Sequence, residues 1–444
     1  MKLVYDVNQK PPFGQMLIFA FQQVLAILAA TITVPTIVGN GMSIPAALLG
    51  AGIGTIVYQI FTKFRSPVFL GSSFAFIGPM LAAFAGGVSV GYLGLVMGAV
   101  FAGLVYVIIA LVVKFAGVNW INKVMPPAVI GPTVALIGLS LAGAAVNDVF
   151  SYGDKVTFGL NAYFIMNSSA WVSFICAMVT FFVVILCSTY GKKMVKLIPF
   201  IIGILAGYAV ALLFTLLGSD STKVIELSVF DNLKIFEVPE FTFTKAFKAL
   251  DEFKPSYLAT VAVAYIPVAF VVFAEHLADH KNLSSIIETD LLEDPGLHRT
   301  LLGDGVGSIA GAFFGGCPNT TYGESVGCVA ITRNASVITI TTAAILSIII
   351  SFFGPFVAFL DSIPGCVMGG VCITLYGFIA VSGLKMIQKV DLNQNKNLFT
   401  VAAILIPGIG GMALGIGEIY ITTTACALIL GIIVNLLLSK EKSE

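Results

Sequence analysis

Two carboxylates stand in stretches where a membrane helix would want Leu or Val. Glu275 closes the apolar run 268–274, and Glu324 follows Tyr322-Gly323 in a segment of Gly, Pro and small hydroxyl residues. An ionised carboxyl at membrane depth is costly unless it faces a cavity or a partner, so each is a candidate for ligand binding or proton movement. Asp279 comes four residues after Glu275, a spacing that puts both on one helical face. Two ionised acids there would repel, which suits a site that takes up a proton. A carboxylate is also a strong acceptor for N–H groups. Other polar residues read as structural: His276 falls one position off the acidic face, and Asp304, in Leu302-Gly303-Asp304-Gly305, ties its span to neighbours or binds a cation. His280 and His298 are expected in a solvated cytoplasmic loop, and Glu418 at an interface.

The elements that must hold these groups are membrane helices. The 444 residues are 58% hydrophobic and 10% charged, with a mean hydropathy of +1.01. That excludes a soluble globular enzyme and a disordered chain. Equal numbers of basic and acidic residues, 23 each, give no attraction to nucleic acid. The seven Cys lie mostly in apolar runs and are read as small apolar filler, without disulfide or metal spacing. Candidate spans of suitable length fall near 14–35, 43–62, 67–85, 90–115, 126–147, 169–189, 195–217, 256–279, 300–315, 317–332, 334–353, 356–384, 397–416 and 417–438. With the N-terminus inside, all Lys and Arg except Lys155 and those of the 218–255 loop fall on the inner side. That is the asymmetry of the positive-inside rule. Residues 1–12 and 440–444 are then cytoplasmic tails, and 218–255 is an external connection between two halves.

The fold class expected is an all-α polytopic membrane protein with 14 spans as 7+7 inverted repeats. The third span of each half is broken. One carries Ser66-Pro67 and Gly71-Ser72-Ser73-Phe74-Ala75-Phe76-Ile77-Gly78-Pro79; the other carries Gly315-Gly316-Cys317-Pro318-Asn319-Thr320-Thr321-Tyr322-Gly323-Glu324. Each predicts a short extended stretch leading into a half-helix, tolerated only inside protein or beside a cavity. Polarity is confined to spans 3, 8 and 10, which disfavours a channel. No Gly-x-Ser-x-Gly elbow or intramembrane Ser–His pair supports an enzyme. No Lys or Arg falls near the middle of a span, which disfavours an anion carrier.

At these segments the chain resembles the nucleobase–ascorbate transporter (nucleobase:cation symporter-2) family, and within it the bacterial uracil permeases. The resemblance rests on 71–77, Ala274-Glu275-His276, Asp294-Pro295-Gly296-Leu297-His298-Arg299, 318–324 and Ala330-Ile331-Thr332-Arg333, and it runs over nearly the whole chain. It implies a core domain from 13–117 and 256–353, and a gate domain from 118–217 and 354–439. It also implies proton-coupled uracil import across the cytoplasmic membrane, alternating access, a homodimer in lipid, both termini cytoplasmic, and no resident cofactor. Carried over residue by residue, Glu275 and Glu324 hold the base and Phe74 stacks on it. Tyr322, Gly323, Ala30 and Tyr376 line the site, while Glu275, Glu324 and Asp279 handle the proton. Two positions depart. Gln22-Gln23 stands where the family has Gln-His, and Asp279 stands where the uracil branch has His, as in purine-transporting relatives. These departures leave xanthine transport as an alternative; sodium coupling, with Asp304 as its candidate ligand, is a separate one.

Overall fold

The computed structural model describes residues 3–117, 120, 124–158, 161–231, 233–252, 254–416 and 419–440. Lys2, Lys123, Lys442 and Glu418 lie outside the described residues.

In chain order the helices begin with α1 (Phe13–Val38) and α2 (Ile44–Phe61), the latter capped by Ser43 Oγ accepting from Ala46 N at 3.2 Å. Strand β1 (Leu70–Ser72) and a 3-10 turn (Phe74–Phe76) lead into α3 (Ile77–Phe84), followed by α4 (Val88–Ala116). Next come α5 (Pro127–Ser140), α6 (Ala142–Val149), a hairpin of β2 (Asp154–Phe158) and β3 (Asn161–Ile165), and α7 (Ser168–Tyr190). The chain continues through α8 (Met194–Leu197), α9 (Pro199–Leu217), α10 (Thr242–Lys248) and α11 (Pro255–Ile287). Then follow α12 (Leu297–Gly315), β4 (Asn319–Thr321), α13 (Gly323–Thr332), α14 (Val337–Ser351), α15 (Gly354–Asp361) and α16 (Gly365–Ile387). The last are α17 (Asn395–Ile409), β5 (Leu414–Ile416), β6 (Ile419–Ile421) and α18 (Thr423–Leu437). Among the described residues, eight helical stretches are long and apolar enough to cross a membrane: α1, α2, α4, α5 with α6, α7, α9, α11 and α16. The protein is therefore mostly helical and apolar, in the manner of membrane transporters.

The chain forms two compact units, residues 1–137, 238–351 and 379–444 in one, and 138–237 and 352–378 in the other. In the first, α2 and α12 approach so closely that a Cβ on Gly50 would strike the carbonyl of Gly311, and one on Gly54 the carbonyl of Gly307. Gly at these positions lets two backbones meet with no side chain between them. In the second, α7 packs on α9, where Gly207 lies against Thr180, and α16 meets α7 where Gly370 lies against Ala177.

Three expectations are corrected. The eighth span was expected to end at 279, but α11 continues to Ile287, because Leu283 and Ile287 are buried and hold the last turns against the core. The stretch 356–384 is two helices, α15 and α16, interrupted at residues 362–364, where Pro364 lacks the N–H that would continue a helix. The 218–255 connection is not a simple loop; it contains α10 and several 3-10 turns.

Candidate functional site

The two broken spans meet. β1 and β4 pair antiparallel, with Leu70 opposite Thr321, Gly71 opposite Thr320 and Ser72 opposite Asn319. Each stretch of extended backbone finds its hydrogen bonds in the other, as backbone at membrane depth must. Side chains and flanking backbone complete the ladder. Leu70 N–H donates to Thr55 Oγ1 at 2.9 Å, Phe69 N–H to Ser325 Oγ at 3.0 Å, Ser73 N–H to Pro318 O at 3.0 Å, and Asn319 Nδ2 to Gly50 O at 3.0 Å. Gly71 leaves room for the Tyr322 ring, which a Cβ there would overlap, and the Tyr322 hydroxyl donates to Ser72 O at 2.5 Å.

Both strands end at helix starts. β1 enters the turn 74–76 and then α3, while β4 enters α13 at Gly323. First-turn N–H groups of a helix have no partner within it, so two sets of donors emerge beside the crossing. The acidic face of α11 stands here. Thr321 Oγ1 donates to Asp279 Oδ2 at 2.8 Å, and Asp279 Oδ1 lies 3.7 Å from where a Cβ on Gly323 would stand. Glu275 and Gly323 are exposed, while Asp279, Glu324 and Phe74 are half-buried. Glu275, Asp279 and Glu324 lie within electrostatic reach of one another. Tyr322 is buried at α13's cap, and Ala30 is buried in α1. The fold thus brings Glu275, Asp279, Tyr322, Gly323 and Glu324 into one region, while Phe74 opens the turn that follows β1. Tyr376 is buried in the second unit.

Behind the acidic face runs a buried polar network. His276 Nδ1 meets Asp304 Oδ2 at 2.7 Å, and Thr320 Oγ1 donates to the same oxygen at 3.4 Å. His276 Nε2 lies 3.0 Å from Thr300 Oγ1, whose proton goes to Leu297 O. One further proton is then held between the His276 ring and the Asp304 carboxyl. This network fastens α11, α12 and β4 together, the structural role expected of His276 and Asp304. The placement of His280 is a correction. It is fully buried rather than solvated, with Nδ1 donating to His276 O at 2.8 Å and Nε2 2.7 Å from the Tyr58 hydroxyl, which also bonds Ser66 Oγ at 2.7 Å. The longer α11 carries it inward. His298 is half-buried at the start of α12. Among the described residues no cluster of His, Cys, Asp and Glu suits a metal ion.

Sequence reasoning did not single out Thr55, Tyr58, Thr321 or Ser325 individually. Thr321 was visible only as part of the 318–324 string, and nothing local marks the other three.

The family model described as Permease family (Xan_ur_permease) matches residues 14–416. The uracil permease of Bacillus caldolyticus is 39% identical over 440 residues, covering 98% of this chain and 95% of that protein. The uracil permease of Bacillus subtilis is 39% identical, covering 100% of this chain and 97% of that protein. The Escherichia coli K12 uracil permease is 34% identical over 97% of this chain and 93% of its own length. Among solved structures, the transmembrane domain of the cyanobacterial bicarbonate transporter BicA superposes with a TM-score of 0.61 at 13% identity, over 97% of this chain and all of that one. Murine Slc26a9 in its inward-facing state gives 0.65 at 10% identity, over 97% of this chain and 69% of that one. These last two likenesses concern the fold alone.

Proposed function

The chain belongs to the nucleobase–ascorbate transporter (nucleobase:cation symporter-2) permease family, and from that membership we propose that it is a proton-coupled symporter importing uracil. The observation that supports this reading is the β1–β4 crossing, whose strands lead into α3 and α13, with Glu324 in the first turn of α13 and Asp279, four residues after Glu275, bonded to Thr321 of β4. Uracil offers two ring N–H donors and two carbonyl acceptors. The carboxyls accept the N–H groups, the helix-start N–H groups of α3 and α13 donate to the carbonyls, and Phe74 stacks on the ring. Tyr322, Gly323 and Ala30 complete the lining. An analogue lacking one N–H covers a carboxyl without giving it a partner and is rejected strongly.

Coupling follows from the carboxyls. Moving an ionised acid through the low-dielectric part of a membrane is unfavourable, so the loaded carrier crosses with a proton on Glu275 or Glu324, and Asp279 relays it. In this reading the chain has 14 spans in 7+7 inverted repeats and forms a homodimer in the cytoplasmic membrane. Both termini are cytoplasmic, and the core (13–117, 256–353) moves against the gate (118–217, 354–439) to expose the site alternately. In proteoliposomes, labelled uracil should enter faster under an inward proton gradient and bring protons with it. Equal uptake with and without the gradient refutes proton coupling, and dependence on sodium over choline would install the alternative.

One observation favours a second substrate, xanthine: Asp279 matches the purine-transporting relatives. The Thr321–Asp279 bond turns that carboxylate toward the span-ten backbone, which supports a positioning role compatible with uracil. Competition by xanthine but not by thymine or 5-fluorouracil would decide for xanthine.

A further inference from the structure

We infer that residues 3–9 form a strap that positions the substrate site from its far side, with Val7 as the positioning residue; the inference rests on the functional reading above. The strap runs beside the exit of α13. Val4 N–H donates to Arg333 O at 2.8 Å, Ala335 N–H to Tyr5 O at 2.9 Å, Val337 N–H to Val7 O at 3.1 Å, and Ser336 Oγ to Gln9 O at 2.6 Å. Tyr5 and Asn334 form a parallel bridge. A turn closed by Gln9 N–H donating to Asp6 O at 3.0 Å, and by Asp6 N–H donating to Gln9 Oε1 at 2.9 Å, sets Val7 inward.

Val7 is 9% exposed and belongs to one apolar cluster with residues from both helices that carry the acids, α11 and α13. Val68 and Leu70 lead into or begin β1, Val326 and Val329 lie on α13, and Leu283 and Ile287 lie on the extension of α11. Val326 is two residues from Glu324. A helix as short as the ten residues of α13 is marginal by itself, so its placement depends on what packs at its ends. At its start α13 is held by β4; at its end, by the strap. A shift of Val7 is therefore passed to Glu324 along one helical turn, and to Asp279 and Glu275 along α11.

The test uses the purified full-length chain, with uracil as probe, measuring dissociation constant and number of sites per folded molecule. Val7→Ala and Val7→Asp are expected to raise the uracil Kd at least fivefold with the number of sites unchanged, and Val7→Ile to stay within twofold of wild type. A merely structural strap would lower Tm while leaving Kd unchanged, and that result overturns the inference. Should Val7→Asp not fold, Val7→Ala and Ser336→Ala still decide, since both loosen the strap without adding charge. If wild-type protein binds no uracil, the functional reading fails instead. The strap is then judged by amide exchange in 323–332, where faster exchange in Val7→Ala supports it and unchanged exchange overturns it.

Discussion

Gly71→Ala is the sharpest probe of the crossing. The Gly71 backbone does not occupy the left-handed region, so alanine is conformationally permitted there and the whole effect is steric. Its Cβ would overlap three atoms of the Tyr322 ring. The ring has little freedom to withdraw, because it is 4% exposed and its hydroxyl is bonded to Ser72 O. Overpacking of this kind costs about 1–3 kcal/mol, and breaking the Tyr322–Ser72 bond adds about 1 kcal/mol. A total of about 2–4 kcal/mol corresponds to a loss of affinity of roughly 30-fold or more if substrate binding must restore the wild-type ring position. Tm of the purified protein and the uracil Kd measure the two parts. A double variant, Gly71→Ala with Tyr322→Leu, should recover part of the lost Tm, because the smaller side chain makes room for the new methyl group; residues in contact couple, and distant ones add. Wild-type Tm and Kd for Gly71→Ala, or strictly additive losses in the double variant, would refute the close packing of β1 against Tyr322.

Other perturbations separate binding, coupling and support. Glu275→Gln and Glu324→Gln each remove a charge-assisted acceptor worth about 1.5–3 kcal/mol; uracil binding should weaken roughly tenfold or more, and in the variant that lacks the proton-carrying carboxyl the remaining uptake should lose its response to an imposed pH gradient, read in proteoliposomes. Thr321→Val deprives Asp279 of the hydroxyl it accepts from and should cut uptake several-fold, with Thr321→Ser restoring it. His280→Phe removes the ring nitrogen beside the Tyr58 hydroxyl and leaves Tyr58 and Ser66 only each other as partners in a buried setting, at about 1–3 kcal/mol of stability, visible as a lower Tm while the uracil Kd stays near wild type. Arg65→Ala breaks a pair with Asp294 whose side chains are 52% and 58% exposed; such pairs contribute about 0–1 kcal/mol, so Tm and uptake should change little.

Much of the site could be read from residue types alone. The strings 71–79 and 315–324 put Gly, Pro and hydroxyls where lipid-facing helix would need Leu, so broken helices were legible. Their mutual pairing was not, because hydrogen bonds between Leu70 and Thr321 leave no local mark in either segment. Glu275 and Glu324 stood out by the cost of charge among apolar neighbours. His280 was misplaced because Lys281, Asn282, Ser284 and Ser285 look like a loop; only the buried Leu283 and Ile287 on the opposite face keep that stretch helical. The role of residues 3–9 is likewise hidden, since a short tail with two Val among polar residues gives no sign of the cluster that receives Val7.

The β1–β4 ladder also bears on how the chain is made. Its two strands are separated by some 250 residues of sequence, so residues 70–72 enter the membrane long before their partners have been synthesised. During that interval an extended stretch with unmet N–H and C=O groups sits among lipid or loosely packed helices, which is unfavourable. A chain stopped anywhere before Asn319 cannot close the ladder, whatever the condition of its first half. Completion of the candidate site and release from this exposed state therefore happen together, late in synthesis, and a ribosome-stalled or truncated product should be recognisable to membrane proteases by the unpaired stretch at 70–72.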